Sequence, residues 1–459
     1  MLSITEKIAK FITNTTRETI PLNVINYTKT LTVDAIGTLV AATHPQVTSG
    51  KLITEFVESQ GGIKQATLIG KNTKVGVVNA VLVNGTLGYA CDMEPHHPEA
   101  ILHPIAVVFP TSLSICEAYN RSGLDLIIAT ALGCEIIYRV SMSMDPKKLY
   151  GLGFHPSAIC GTFGAVASSA YLLDLNTEQT IKALGLAALQ TSGLMAWEDD
   201  PKEDARPFQM GMAARNGVTA ALLAKNNFGG PDRIFDGGHN VFKAFSRAYS
   251  TTPLLDNLGI SWDGVMQLAI KPYPCVSFLH PALDALSNLM FENNLNSTDI
   301  DQINLSFPNS GSHCIDNNPL KSHCAQYILP VLAVKGKLEF LDLFNDHRKN
   351  NLEIARLSKL TKVVRDYNKL EKLFPQFYAC EVRLKHKNGK LFSKSAKIAR
   401  GYPESPLTEK DIINKFNNLV QSVLTKSKCK ILLETIQKIA EAQNVKKLIK
   451  LLSKKNTNK

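Results

Sequence analysis

The chain has 459 residues, 44% of them hydrophobic and 20% charged, which is enough apolar material to bury a substantial core and excludes disorder. Its formal net charge of +11 does not describe a nucleic-acid-binding face, because residues 421–459 hold ten lysines against Glu434 and Glu441. Eight of the eleven net charges therefore sit in one basic tail, without interleaved aromatics.

No run approaching about 20 apolar residues marks a bilayer span, and residues 1–30 lack the pattern of a secretory signal. A cytoplasmic chain is expected, with neither membrane nor nucleic acid as partner. The nine cysteines (91, 116, 134, 160, 275, 314, 324, 380 and 429) form no Cys-x-x-Cys pair, so reduced thiols rather than disulfides, iron–sulfur clusters or zinc cages are expected.

In chain order, the first 250 residues are dominated by helical periodicity. VINYTKTLTVDAIGTLVAA, EAILHPIAVVFPTSLSICEAYN, LDLIIATALGCEIIYRVSMS, CGTFGAVASSAYLLDL and QTIKALGLAALQTSG carry wide apolar stripes rich in small residues, as closely packed helices require. Asn176 or Thr177, followed by Gln179 or Thr180, marks a helix start, and Asp125 after Gly123 marks another. Near residue 265 the texture changes, because Pro272 and Pro274 in KPYPC cannot lie in a helix interior. QINLSFP and ACEVRLKHKNGKLFSKSAKIA alternate like strands, with Asn388-Gly389 at a hairpin turn. PALDALSNLMFENN and SHCAQYILPVLAVKG read as helices between them. After Pro406, LTEKDIINKFNNLVQSVL is helical again, and CKILLETIQKIAEAQNVKKLIKLL has the spacing of docked helix with a solvated lysine face. The expected architecture is mainly α: an all-helical domain over 1–265 and 404–459, built from both chain termini, with an inserted smaller α+β domain over 266–403.

The chemistry concentrates in DMEPHHPEAILHP, residues 92–104, which puts three acids and three histidines into thirteen residues ahead of an apolar run. Such a cluster can be an acid–base centre, a metal site or a pH switch. Pro95 and Pro98 break the helix that would align Asp92, Glu94, His96, His97 and His103 as metal ligands, so no metal is expected. No Gly-x-Gly-x-x-Gly sits between a strand and a helix, which removes the dinucleotide reading. Polar groups beyond the needs of the pattern also occur in GFHPSAICGTFG (His155), ARPFQMGMAARNG (Arg206), KPYPC (Lys271) and KSHCAQYILP (His323, Tyr327).

At these stretches the chain resembles the MmgE/PrpD family, which contains 2-methylcitrate dehydratase, cis-aconitate decarboxylase and iminodisuccinate epimerase. The resemblance runs in order through VDAIGTLVAA, NGTLGYACDMEPHHPEAILHP, GFHPSAICGTFGAVASSAYLL, RPFQMGMAARNGVTAALLAKNNFGGPDRIFDG, KPYPCVSFLHPALDA and HCAQYILPVLAVKG. It implies a helical domain with an α+β lid, a homodimer, no cofactor, and a small polycarboxylate as substrate. It places Asp92, His103, His155, Lys271 and Tyr327 around that substrate, with His96 in the first motif. Two departures stand out. Where the family commonly has Asp-Phe-Asp-Asp-Thr-His, this chain has Asp92-Met93-Glu94-Pro95-His96-His97, and Arg206 replaces a lysine. An arginine cannot act as a base, yet it grips a carboxylate with two parallel bonds.

The expected assignment is His103 and His155 as the acid–base pair, Tyr327 as a catalytic hydrogen-bond donor, and Asp92, His96, Arg206 and Lys271 as substrate-binding residues. Structural alternatives stand beside each. A histidine before proline can simply start a helix, Asp92 can orient a histidine, Arg206 can pair with Glu203 or Asp204, and Tyr327 has core spacing with Leu320 and Cys324. The expected activity is elimination of water by a hydro-lyase of the 2-methylcitrate dehydratase kind. Decarboxylation and epimerisation next to a carboxylate are alternatives, as is an inactive binding protein.

Overall fold

A computed structural model describes residues 2–246, 248–374 and 376–453. The fold is mainly α with a smaller α+β region, and the chain divides into two compact units, Met1–Ala269 with Ile412–Lys459, and Ile270–Asp411.

The first unit is built on helices Leu22–Ala41, Val77–Leu87, Pro104–Ala118, Gly123–Ser143, Pro156–Leu172, Thr177–Ala188 and Ala205–Lys225. Two begin at reciprocal caps. Ser122 and Asp125 exchange backbone-to-side-chain bonds of 3.0 and 3.1 Å, and Asn176 and Gln179 do the same at 3.1 and 2.9 Å. Small residues set the spacing between helices. A β-carbon at Gly211 would lie 2.3 Å from the carbonyl oxygen of Leu82, so the helices bearing them can approach only because that position has no side chain. A two-stranded hairpin, β1 (Ala66–Thr67) and β2 (Lys74–Val75), is the small strand content of this unit among the described residues.

Helix Gly123–Ser143 corrects one expectation, because it is long and apolar enough to cross a membrane by length and composition. It is instead a core helix, with nearly all of its apolar stretch buried within the fold. In its C-terminal half Arg139 and Glu135 form a buried ion pair, Nε to Oε1 2.6 Å. Arg139 also donates to the carbonyls of Pro253 (3.1 Å), Asp256 (2.7 Å) and Asn257 (3.2 Å), and Glu135 accepts from the Gly264 N–H at 2.9 Å. The pair thus supplies the hydrogen bonds that the irregular backbone over 253–264 cannot make for itself.

The second unit holds a four-stranded sheet ordered β4-β3-β5-β6, where β3 is Ile300–Pro308, β4 Thr361–Asp366, β5 Cys380–His386 and β6 Leu391–Ala396. β3 runs parallel to β4 and antiparallel to β5, and β5 turns into β6 at Asn388-Gly389, where Gly389 has φ +88°. Ile303, Leu305 and Phe307 of β3 point into the core with Val382 and Leu384 of β5, while Asn304 and Ser306 alternate to the other face. Helices His280–Glu292, Ala325–Lys335 and Leu352–Leu360 pack with that core. Strand β4 is not apparent from the sequence. Its residues are half-exposed at a sheet edge, so they show no buried alternation, and its partner lies some 60 positions away.

Helices Glu409–Val420, Lys426–Gln437 and Lys446–Leu452 follow. Cys429, Leu432, Ile436, Leu448, Ile449 and Leu452 are buried, while Lys426, Lys428, Lys430, Lys438, Lys446, Lys447 and Lys450 are exposed. Most of the basic tail is therefore docked helix with a solvated lysine face; Lys454, Lys455 and Lys459 lie outside the described residues.

The division between units falls at 269/270 and 411/412, a few residues beyond the expected 265/266 and 403/404. Residues up to Ala269 stay with the helical unit because Ala269 and His96 exchange backbone hydrogen bonds of 2.8 and 3.0 Å. The GYPESP segment stays with the α+β unit because the Ile270 N–H donates to the Gly401 carbonyl at 2.8 Å.

Removing the Arg139 guanidinium leaves Glu135 buried without its countercharge and several carbonyls without donors. Arg139→Ala is expected to lose about 3–5 kcal/mol in denaturant unfolding. A loss below about 1 kcal/mol would contradict the bracing role of the pair.

Candidate active site

His103 and His155 occupy equivalent local positions. Each immediately precedes a proline that forms the first residue of a helix, Pro104–Ala118 and Pro156–Leu172. Proline suits that position because the N–H it lacks would have no partner within the helix, and it excludes helical geometry from the residue before it. The imidazoles are thereby held at helix mouths. Ser157, in the first turn of the second helix, accepts the His103 backbone N–H at 3.0 Å and ties the two helix starts together. Arg206 lies in the first turn of a third helix, Ala205–Lys225, and Gln209, three residues further on, meets His155. Three helix N-termini, each with partial positive charge and N–H groups lacking helical acceptors, thus serve one locality.

The groups pack around Tyr89. Its ring centroid is 4.7 Å from that of His103 and 6.2 Å from that of His155, and the Arg206 guanidinium lies 4.7 Å above it. Trp197 completes the enclosure, with its ring 5.6 Å from His155 and 5.5 Å from the Arg206 guanidinium. His96 stacks against His103 at 6.0 Å. The structure therefore brings Asp92, His96, His103, His155 and Arg206 into one site in the first unit.

The two catalytic candidates differ electrostatically. His103 Nδ1 is 2.7 Å from Glu94 Oε1, a carboxylate that is itself buried, while the His103 side chain keeps 19% of its surface exposed. A carboxylate there favours a proton on Nδ1 and supports the imidazolium form. His155 has no such partner. Its Nδ1–H donates to Gln209 Oε1 at 3.0 Å, and the Gln209 amide is oriented by donating to the Leu194 carbonyl at 2.8 Å. Burial pushes the His155 imidazole down to about 3, opposed by Gln209 and assisted by the positive charge of His103 and Arg206. At neutral pH it is an uncharged ring whose Nε2 accepts rather than donates.

Arg206 is held by carboxylates, with Nη1 3.2 Å from Asp92 Oδ1 and Nη2 3.6 Å from Glu203 Oε1. Burial alone would disfavour its charge, but Glu203, Asp92 and Glu94 hold the guanidinium protonated well above its ordinary range. The backbone of the cluster is strained: Asp92 has φ +52°, and so does Ile101, a β-branched residue that rarely adopts this conformation. The Ile101 geometry is enforced by a closed loop in which His97 and Leu102 exchange backbone hydrogen bonds of 2.7 and 3.3 Å.

Two further buried histidines contact the backbone through their rings. His97 accepts the Ala100 N–H on Nδ1 at 3.2 Å and lies 3.3 Å from the Asp263 carbonyl through Nε2, so both ring nitrogens serve the backbone. His280 is buried with Nε2 2.9 Å from the Cys275 carbonyl. Among the described residues no group of three or more His, Cys, Asp and Glu side chains is arranged to hold a metal ion.

Lys271 and Tyr327 belong to the second unit. Lys271 is fully buried. Tyr327 is likewise buried, and its hydroxyl lies 2.6 Å from the carbonyls of both Asp342 and Asn345, so its proton is engaged within that unit. Sequence reasoning missed Tyr89, Trp197 and Gln209 entirely and placed Glu94 only in the metal alternative. Glu94 had a visible signal, an acid nine residues before a His-Pro helix start. The others carry no local mark.

The residues 6–253 match the MmgE/PrpD N-terminal domain and residues 273–441 the MmgE/PrpD C-terminal domain. The chain belongs to the MmgE/PrpD family. It is 25% identical over 483 residues to the cis-aconitate decarboxylase-like protein oryM of Aspergillus oryzae, covering 98% of this chain and 97% of that one. It is 26% identical over 480 residues to the cis-aconitate decarboxylase of Aspergillus terreus (98% and 96%), and 25% identical over 466 residues to that of Homo sapiens (98% and 94%).

The depressed His155 has a consequence for stability. Its folded value of about 3 lies below the roughly 6.5 of a free imidazole, so its contribution is fully present above about 6.5 and is lost as pH falls toward 3. His97, lowered by burial to about 4, acts in the same direction. Unfolding free energies at pH 7.5 and 5 are expected to fall by about 2 kcal/mol per such histidine in the wild type. His155→Gln should reduce that fall by about one proton's worth, and an unchanged slope would contradict the assignment.

Proposed function

We propose that this protein is a cofactor-independent lyase that acts on a small di- or tricarboxylate by acid–base catalysis. The observation that carries the reading is the division of labour between two imidazoles on one tyrosine, one beside a buried carboxylate and one kept neutral by burial. Groups whose environments push them toward opposite protonation states supply acid and acceptor from the same residue type. His103 is the proton donor, with Glu94 stabilising its imidazolium, and neutral His155 accepts a hydrogen bond through Nε2 and orients the substrate.

Decarboxylation of a cis-aconitate-like substrate is the leading reaction, supported by the names of the relatives matched over 98% of the chain. In that reaction the bond to one carboxylate breaks and releases carbon dioxide. The freed electron pair shifts across the allylic system, and the vinylic carbon takes the proton from His103. Arg206 anchors another carboxylate. Its longer contact, to Glu203 at 3.6 Å, is the one a substrate carboxylate would replace, while Asp92 fixes the guanidinium from the other side. Lys271 is kept as a further carboxylate partner on the family resemblance and its burial. The engaged hydroxyl of Tyr327 supports a bracing role for it. Elimination of water from 2-methylcitrate is the second reading: the same His103 proton goes to the departing hydroxyl, while neutral His155 takes the proton from the adjacent carbon on Nε2 and the C–H electron pair becomes the double bond. Epimerisation at a carbon bearing a carboxylate is the third.

The working state we propose is a homodimer. Tyr150, Leu152, Leu189 and Leu194 are exposed large apolar groups on two adjacent segments, joined where the His155 N–H donates to the Gly193 carbonyl and the Met195 N–H to the Gly153 carbonyl. No disulfide links the nine cysteines among the described residues, which suits a reducing compartment such as the cytosol.

Incubation with cis-aconitate, 2-methylcitrate, citrate or iminodisuccinate in deuterated water, followed by proton NMR, tests the reading. Turnover of cis-aconitate with one deuterium placed in the product is expected. His103→Ala should lower kcat by about 10²–10⁴-fold and Glu94→Gln by about 10–100-fold. Silence on all four substrates would reject the enzyme in favour of a binding protein.

A further inference from the structure

We propose that Lys415 is a positioning residue for the active site, holding the Asp92–Glu94 backbone in place from a helix more than 300 residues away in the chain. The Lys415 Nζ donates to the Met93 carbonyl at 2.7 Å, and it lies 2.6 Å from Asp34 Oδ1. Both side chains are almost completely buried, at 4% and 1% exposure. Met93 sits between Asp92, which holds Arg206, and Glu94, which contacts His103. One ammonium therefore fixes the peptide from which both site carboxylates project.

A lysine is among the side chains least often buried, and one that is buried without a structural or functional return is costly. The local packing supports the placement. Helix Glu409–Val420 lies close on helix Leu22–Ala41 at Gly37, where a β-carbon would be 3.3 Å from the Phe416 ring. Asp34 is almost one turn before that glycine, opposite Lys415. Helix Leu22–Ala41 also supports the far end of the site loop. Tyr27 donates to the Leu268 carbonyl at 2.6 Å, and the next residue, Ala269, pairs in both directions with the His96 backbone. The loop over 92–96 is thus fixed at two points from one helix, at His96 through the Leu268–Ala269 segment and at Met93 through the lysine. The strained φ of Asp92, immediately before the Met93 anchor, is the kind of geometry that persists only when its surroundings enforce it.

The inference rests on the proposed acid–base reading of His103, so its test pairs kinetics with a readout that needs no turnover. The pair is replaced by apolar groups of similar volume, Lys415→Met with Asp34→Leu, a change that commonly leaves stability intact. Asp34→Asn serves as a milder isosteric variant should the double one not fold. Glu135→Gln, which disturbs a buried ion pair outside the site, is the structural control.

In the folded double variant kcat is expected to fall about tenfold to a hundredfold with KM changed less than about threefold, because misplacement of about an ångström at the reacting groups costs that much. The titration midpoint of the His103 imidazole, followed by NMR with labelled histidine, should move down as its contact with Glu94 loosens. The other groups facing it, His96, His155 and Tyr89, are unchanged. Asp34→Asn should shift the midpoint in the same direction by less, and Glu135→Gln should leave both readouts alone. An unmoved His103 midpoint in the folded double variant, or in Asp34→Asn if the double one does not fold, would overturn the proposal. So would equal changes in the control. A wild type that turns over no polycarboxylate would sink the proposed reaction but leave the His103 titration as a complete test of the tether.

Discussion

Everything in the site depends on where a helix is allowed to begin. His103 and His155 lie at helix mouths because the proline after each cannot continue a helix backward, and Ser157 makes the two starts one structure. Side chains projected from such positions face the open end of the helix, where N–H groups and the helix dipole favour negative charge. That field suits the polycarboxylate proposed as substrate, and Asp92, Glu94 and Glu203 already occupy part of it.

The carboxylates explain how chemically identical rings acquire different roles. Glu94 gives His103 a negative neighbour, whereas His155 has a neutral amide and a cation nearby. Arg206 is enclosed by Tyr89 and Trp197 and turned by Asp92, so its planar head is oriented before any ligand arrives. A lysine at this position would present a single rotatable charge; the guanidinium presents a fork with a fixed plane.

Much of this was legible in the sequence because it is encoded locally. The caps at Ser122 and Asn176, the hairpin at Gly389 and the His-Pro starts are each written within a few residues. The family motifs carried the site residues of the first unit into one neighbourhood. What escaped is non-local. Tyr89, Trp197 and Gln209 look like ordinary helix or loop residues until the fold brings them to His155 and Arg206. Lys415 lies in a segment legible only as a helix, and its partnership with Asp34 and Met93 explains its burial. Strand β4 went unseen for the same reason, since its identity comes from pairing with β3 rather than from its own pattern.

The most direct test is a crystal structure with tricarballylate, a saturated tricarboxylate that cannot undergo the proposed decarboxylation. One carboxylate is expected on Arg206 in place of the Glu203 contact, with the carbon chain lying against the Nε2 atoms of His103 and His155. A ligand bound away from both imidazoles, with the Arg206 contacts unchanged, would contradict the account.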